Sequence, residues 1–176
     1  MNRNYNTEDY SNFEKKHADD YRTPKWLITF IKSKYNITTD IACDSTNAIT
    51  PDSPLYDRGF DALEESWGQF KGAKYCFPPF SKPNFSYFLA KAHNEWMKGE
   101  TTAFLAPLKT ISVSYFQNIK CPVIDIIYPR VNFIFNGKEV SYPDSVCVLH
   151  YDASIATFTT PKVNFVDVGL YNRERH

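Results

Sequence analysis

Residues 73–81, AKYCFPPFS, decide the fold. Ala73 to Phe77 reads as a short buried strand. Pro78-Pro79 stops it, because proline fixes φ and lacks the N–H that a strand ladder needs. Downstream, Phe85, Phe88, Leu89, Ala92 and Trp96 recur every three or four residues, which predicts a helix over Phe85 to Met97 with Gly99 as its stop. Thr101 to Ala106 is then a third strand, so strand, helix and strand alternate about the proline pair. Upstream, Trp26, Leu27, Phe30, Ile31 and Tyr35 share one face of a helix with Thr23 as N-cap, Pro24 in its first turn and Asn36 at its end. Thr38 to Cys43 gives the first strand, residues 48–60 a loop, Asp61 to Trp67 a helical turn, Ser112 to Ile119 a short helix and Cys121 to Tyr128 a fourth strand. Val131–Phe135, Ser145–Tyr151, Ile155–Thr159 and Val163–Val166 follow as strand-like runs, with turns at Asn136-Gly137 and at Tyr142 to Asp144. The pattern predicts an α/β sheet, mostly parallel, with antiparallel edge strands at the C-terminal end.

The chain has 176 residues, 43% of them hydrophobic and 16% aromatic, which suits one packed domain and excludes disorder, collagen and coiled coil. Residues 1–22 read as a loosely ordered arm and 23–176 as the domain. Twenty Lys+Arg balance twenty Asp+Glu, so support for a nucleic-acid partner from charge is weak. No apolar run approaches the ~20 residues that span a bilayer, and Met1 to Asp20 is too polar for a secretory core, so a cytoplasmic protein without a membrane partner is expected. Cys43, Cys76, Cys121 and Cys147 form no C-x-x-C pair, and the four histidines lack metal-ligand spacing; reduced thiols and no metal are expected. Cys76 lies inside a strand, not after a proline in a loop, which argues against a cytosine-C5 nucleophile.

In such sheets ligands bind where strands end at their carboxyl side. Two ends carry chemistry. One is Asp40-Ile41-Ala42-Cys43-Asp44, running on to Asn47. The other is Phe77-Pro78-Pro79-Phe80, whose carbonyls have fewer N–H partners nearby and whose Phe80 offers a flat face to a planar group.

The order of these landmarks resembles the phage-type DNA adenine-N6 methyltransferases. That family pairs an early Thr-Pro with an Asp-x-Ala-Ala-like strand end, a downstream Asn-Ala, an Asp-Ala-Leu-x-x-x-Trp segment and an Asn-Pro-Pro-Tyr-Ser motif. This chain has Thr23-Pro24, Asp40-Ile41-Ala42-Cys43, Asn47-Ala48, Asp61-Ala62-Leu63 with Trp67, and Phe77-Pro78-Pro79-Phe80-Ser81. Lys91-Ala92, Phe104 to Pro107, Pro129 to Phe133 and Pro143 to Ser145 resemble later family segments.

The resemblance implies a Rossmann-like class I methyltransferase sheet that uses S-adenosylmethionine as cofactor and DNA as partner, in the host cytoplasm if phage-encoded. Thr23 and Pro24 are then expected over the methionine end. Asp40 and Ala42 are expected at the first strand end, and Asn47 and Asp61 near ribose or adenine. The same residue types also serve structure: Thr23 as N-cap, Asp40 and Asp61 as loop caps, Asn47 as a turn former. The chain has six glycines and none at 38–50, so cofactor contacts must come from side chains. Lys82, Lys91 and Arg130 are expected to meet phosphate. Family members flip the adenine from the duplex and hold its N6 hydrogens on the Asn side chain and the next proline carbonyl. Here Phe77 stands at the Asn position and has no acceptor. The strand before the motif offers no obvious replacement; Ser81 and Asn84 follow it. Two readings result: an adenine-N6 methyltransferase with impaired activity, or an inactive relative that binds nucleic acid, a nucleotide or a host protein, such as a counter-defence factor.

Overall fold

The computed structural model describes residues 21–80, 83–169 and 171. A six-stranded sheet is built from β1 (Ile37–Asp40), β2 (Ala73–Cys76), β3 (Thr102–Pro107), β4 (Val123–Tyr128), β7 (Val146–Tyr151) and β8 (Lys162–Asp167). Its order is β1-β2-β3-β7-β4-β8. Parallel pairing joins β1 to β2, β2 to β3 and β4 to β8, while β7 runs antiparallel to both its neighbours. The mixed, mostly parallel α/β sheet is as expected. The antiparallel strand, however, lies inside the sheet, and the edge strand β8 is parallel.

Helices cover both faces. Helix α1 (Lys25–Tyr35) buries Leu27, Phe30, Ile31 and Tyr35 with Tyr75, Ala103, Leu105 and Val148. Helix α2 (Asn84–Met97) buries Phe85, Leu89, Ala92 and Trp96 with Cys76, Phe104, Ala106 and Leu149. Residues 103–106 thus divide alternately between the two cores, as a strand covered on both faces must. A separate hairpin, β5 (Asn132–Phe135) and β6 (Lys138–Ser141), sends fully buried Phe133 into the α1-side core. Asn136 and Gly137 turn it with φ of 49° and 73°, the left-handed pair that a two-residue hairpin loop needs.

Several local expectations shift. Pro24, not Thr23, is the N-cap of α1, and no side chain caps that end. The Thr23 hydroxyl is instead 3.0 Å from the Tyr75 phenol. Asn36 ends α1 with φ 51°, as predicted. Ile155–Thr159 is not a strand. Asp152 takes the N–H of Ser154 on its carboxylate and that of Ile155 on its carbonyl, which turns the chain into the loop that leads to β8 on the far side of β4. Asp61–Trp67 forms the expected turn, whereas Ser112–Ile119 is short 3-10 segments, not α-helix. Of the arm positions, Tyr21 is buried, and Arg22 exchanges backbone hydrogen bonds with Ile134 at 2.8 and 2.9 Å. The remaining arm positions, 1–20, lie outside the described residues. All four cysteines are buried free thiols. No described helix is long and apolar enough to cross a membrane.

Candidate active site

Parallel pairing puts Asp40 beside Tyr75, so the carboxyl ends of β1 and β2 open side by side. They open into one cavity of about 1380 Å³. This exceeds the ~300–1,000 Å³ of an ordinary small-molecule pocket and leaves room for two guests. Thr23, Pro24, Asp40, Ala42, Asn47 and Asp61 all border it. So do Phe77, Pro78 and Pro79. The cavity persists with the benzyl ring of Phe77 on its wall.

Each polar residue already has local work. Asp40 is buried, and its carboxylate accepts the N–H of Ala42 at 3.2 Å and of Ile49 at 3.3 Å. It therefore pins both ends of the loop that follows β1. Burial pushes its carboxyl up to about 7, against the pull of those two N–H groups and with a small push from Asp44. Asn47 accepts the N–H of Asp44 at 2.7 Å, and Asp61 accepts that of Leu63 at 2.9 Å. One Asp61 oxygen is used this way, and the residue is exposed to the cavity.

The other predicted residues lie elsewhere. Phe80 does not border the cavity; its ring meets Phe77, Phe85 and Tyr142 at centroid distances of 5.3, 5.6 and 5.9 Å. Lys91 is half-buried on α2 with its ammonium 3.3 Å from Glu95. Arg130 is exposed in the loop after β4, away from the cavity lining. Lys82 and Ser81 lie outside the described residues. Asn84, at the start of α2, does reach the lining.

Three groups gain roles that the sequence did not assign them. Asp44 borders the cavity and is 3.7 Å from the Arg22 guanidinium. Burial would raise its carboxyl, but hydrogen bonds from Thr46 and the Arg22 charge hold it below the usual range. The loop wall with Phe60, Asp61 and Leu63 is anchored behind by fully buried Trp67. The Trp67 indole N–H donates to the Ala62 carbonyl at 2.8 Å and its backbone N–H to Glu95 at 3.2 Å. Third, Tyr75 brings a hydroxyl to the cavity. An aromatic inside an apolar strand reads as core, and only the register reveals its neighbours. Among the described residues no cluster of three or more His, Cys, Asp or Glu forms a metal site. Burial raises the Cys76 thiol well above its ordinary range, which leaves it inert as a nucleophile.

The family model described as DNA N-6-adenine-methyltransferase (Dam) matches residues 10–164. The chain belongs to the Dam family. No curated protein matches it. The Dam match spans both strand ends, the double proline and the cavity wall, and the α/β sheet is a Rossmann-like methyltransferase fold. Half-buried Phe77 and buried Pro78 both border the cleft.

Proposed function

We propose that this Dam-family chain is a phage-type DNA adenine-N6 methyltransferase that uses S-adenosylmethionine and whose transfer step is weakened at Phe77. The observation that carries this is the meeting of Thr23-Pro24, Asp40 and the Pro78-Pro79 corner around a single cavity. The donor set fits the cofactor. Asp44, Asp61 and Glu139 border the cavity against Arg22 and Lys25, with Asp40 ionised in addition above about pH 7, an acidic balance in a protein of zero net charge that favours a cationic guest. Aromatic faces at Phe60 and Phe88 suit a purine, and the second oxygen of Asp61 suits a ribose diol. When bound, S-adenosylmethionine supplies an electrophilic methyl group.

The protein's share is positioning. The Asp40-pinned loop and the Thr23-Pro24 segment border the cofactor half, while the Pro78 carbonyl accepts one N6 hydrogen of an extruded adenine. Transfer of this kind gains mainly from orientation and fixed dipoles. Phe77 removes one such dipole, a loss worth ~10²–10³ in rate. Arg130 is the exposed cation proposed to meet backbone phosphate, and such binding weakens with salt.

Calorimetric titration with S-adenosylmethionine, followed by transfer of a labelled methyl group to adenine-containing DNA, tests the proposal. Cofactor binding with slow transfer supports it; no binding at millimolar cofactor overturns it. The second reading, a non-catalytic relative that binds nucleic acid or a nucleotide, is favoured by the apolar side chain of Phe77. DNA binding with no transfer to any DNA selects that reading.

A further inference from the structure

Tyr75 is two residues before Phe77 on the same strand, so both side chains project from one face of the sheet, the face on which Asp40 also lies. Tyr75 is 1% exposed, yet it borders the cavity, and its phenol oxygen is 3.0 Å from the Thr23 hydroxyl, which borders it too. Two hydroxyls joined by one hydrogen bond use one proton and one lone pair. One O–H and three lone pairs remain. Among the described residues neither hydroxyl makes another side-chain hydrogen bond. A part-buried pair with a spare O–H and spare lone pairs, facing a hollow, suits a polar guest atom there. Burial raises the Tyr75 phenol well above its ordinary range, so the pair stays neutral at any physiological pH.

We infer that the Thr23–Tyr75 hydroxyl pair takes the N6 hydrogen of the target adenine that Phe77 cannot accept. This deepens the proposed function and rests on it. The Pro78 carbonyl takes one amine hydrogen and the pair takes the other, so the acceptor has moved two residues up the strand and from a carboxamide to a hydroxyl. The pair's spare O–H remains available for a second polar atom of the guest. The backbone of Thr23-Pro24 still borders the cofactor half, while the Thr23 hydroxyl serves the base.

The test uses the full chain saturated with S-adenosylhomocysteine. Calorimetry then compares 2′-deoxyadenosine with 2′-deoxynebularine, which lacks the exocyclic amine. The wild type is expected to prefer deoxyadenosine by about four- to a hundredfold, the range of two net hydrogen bonds. Tyr75→Phe should cut the preference by about two- to tenfold, since the Pro78 carbonyl still takes one amine hydrogen, while leaving the affinity for S-adenosylhomocysteine within about twofold. Thr23→Val, which removes the other hydroxyl and keeps the shape, should reduce the preference as well and covers the case in which Tyr75→Phe does not fold. A preference that is undiminished in the folded variants, or is missing in the wild type, overturns the inference alone. So does a Tyr75→Phe loss that falls equally on S-adenosylhomocysteine, which would place the pair under the cofactor. A wild type that does not bind S-adenosylhomocysteine overturns the proposed function and this inference with it.

Discussion

The Phe77 ring stacks on Phe133, with centroids 5.6 Å apart and planes 26° from parallel. Phe133 is fully buried at the hairpin, so the ring at 77 is drawn sideways to the wall of the cavity and does not block it. Phe80 adds an edge contact at 5.3 Å. The Phe77 ring is thus absorbed into an aromatic cluster, and under the proposed function its stability value and its chemical cost are opposed.

Phe77→Asn is expected to separate the two. It should lower stability by about 1–3 kcal/mol, since a half-buried ring is lost from Phe133 and Phe80. It should raise methyl transfer to adenine by up to ~10²-fold, since the carboxamide adds a preorganised acceptor to the Thr23–Tyr75 hydroxyl pair. Urea unfolding and a labelled-methyl assay read the two effects. Unchanged transfer in a folded variant would remove Phe77 as the cause of weak activity.

Asp40 makes stability depend on pH. Its carboxyl titrates at about 7 in the fold against 3.8 for the ordinary group, because burial outweighs the N–H bonds from Ala42 and Ile49. A raised folded value favours the protonated form. Its stabilising effect is full below about pH 4 and is lost as pH rises to about 7, at a slope of up to about 1.4 kcal/mol per pH unit. Asp40→Asn stays neutral and should flatten that part of the profile. Melting temperatures of both proteins between pH 4 and 8 check this; parallel profiles would contradict it.

Glu95→Ala should lower stability. The carboxylate is fully buried, 2.9 Å from the Lys98 ammonium and 3.3 Å from that of Lys91, and accepts the Trp67 N–H at 3.2 Å. Removing it leaves the buried Trp67 N–H without its acceptor, a cost of about 1–3 kcal/mol, while the exposed Lys98 ammonium turns to water. Trp67 carries the cavity wall, so cofactor affinity should fall in parallel with stability, measured by denaturant unfolding and titration on the same sample. A loss below 1 kcal/mol, on the order of a surface pair, would refute the role.

Cofactor should stabilise the protein in proportion to occupancy. At a hundredfold excess over its dissociation constant, S-adenosylmethionine adds about 2.7 kcal/mol, or roughly 5–10 °C for a chain of this size. Thermal unfolding with and without cofactor measures it, and the shift should shrink in Glu95→Ala.

The helices and most strands were legible because their apolar residues follow a local period: Leu89, Ala92 and Trp96 on one helix face, Ala103 and Leu105 on one strand face. The strand ends that form the cleft could also be found, because Asp40 and Pro78-Pro79 are local signals. Ile155–Thr159 misled, since its β-branched residues carry strand propensity while Asp152 turns the chain. Thr23 resembled a cap until its hydroxyl was seen beside a tyrosine 52 positions away. Lys91 resembled a phosphate contact because Glu95, one helical turn on, gives no sequence hint that it is buried. Long-range pairing is what sequence periods do not encode.

Strand β7 occupies the slot between β3 and β4, and it supplies Val146 and Val148 to one core and Cys147, Leu149 and Tyr151 to the other. Domains grow from the N-terminus at about 5–20 residues per second during synthesis. A nascent chain that has emerged only as far as residue 145 therefore has β1, β2 and β3 able to pair but β4 alone, because both neighbours of β4 come later in the chain. Its closure waits on a late hexapeptide, so the interval before that segment leaves the ribosome is when a chaperone would have most to shield.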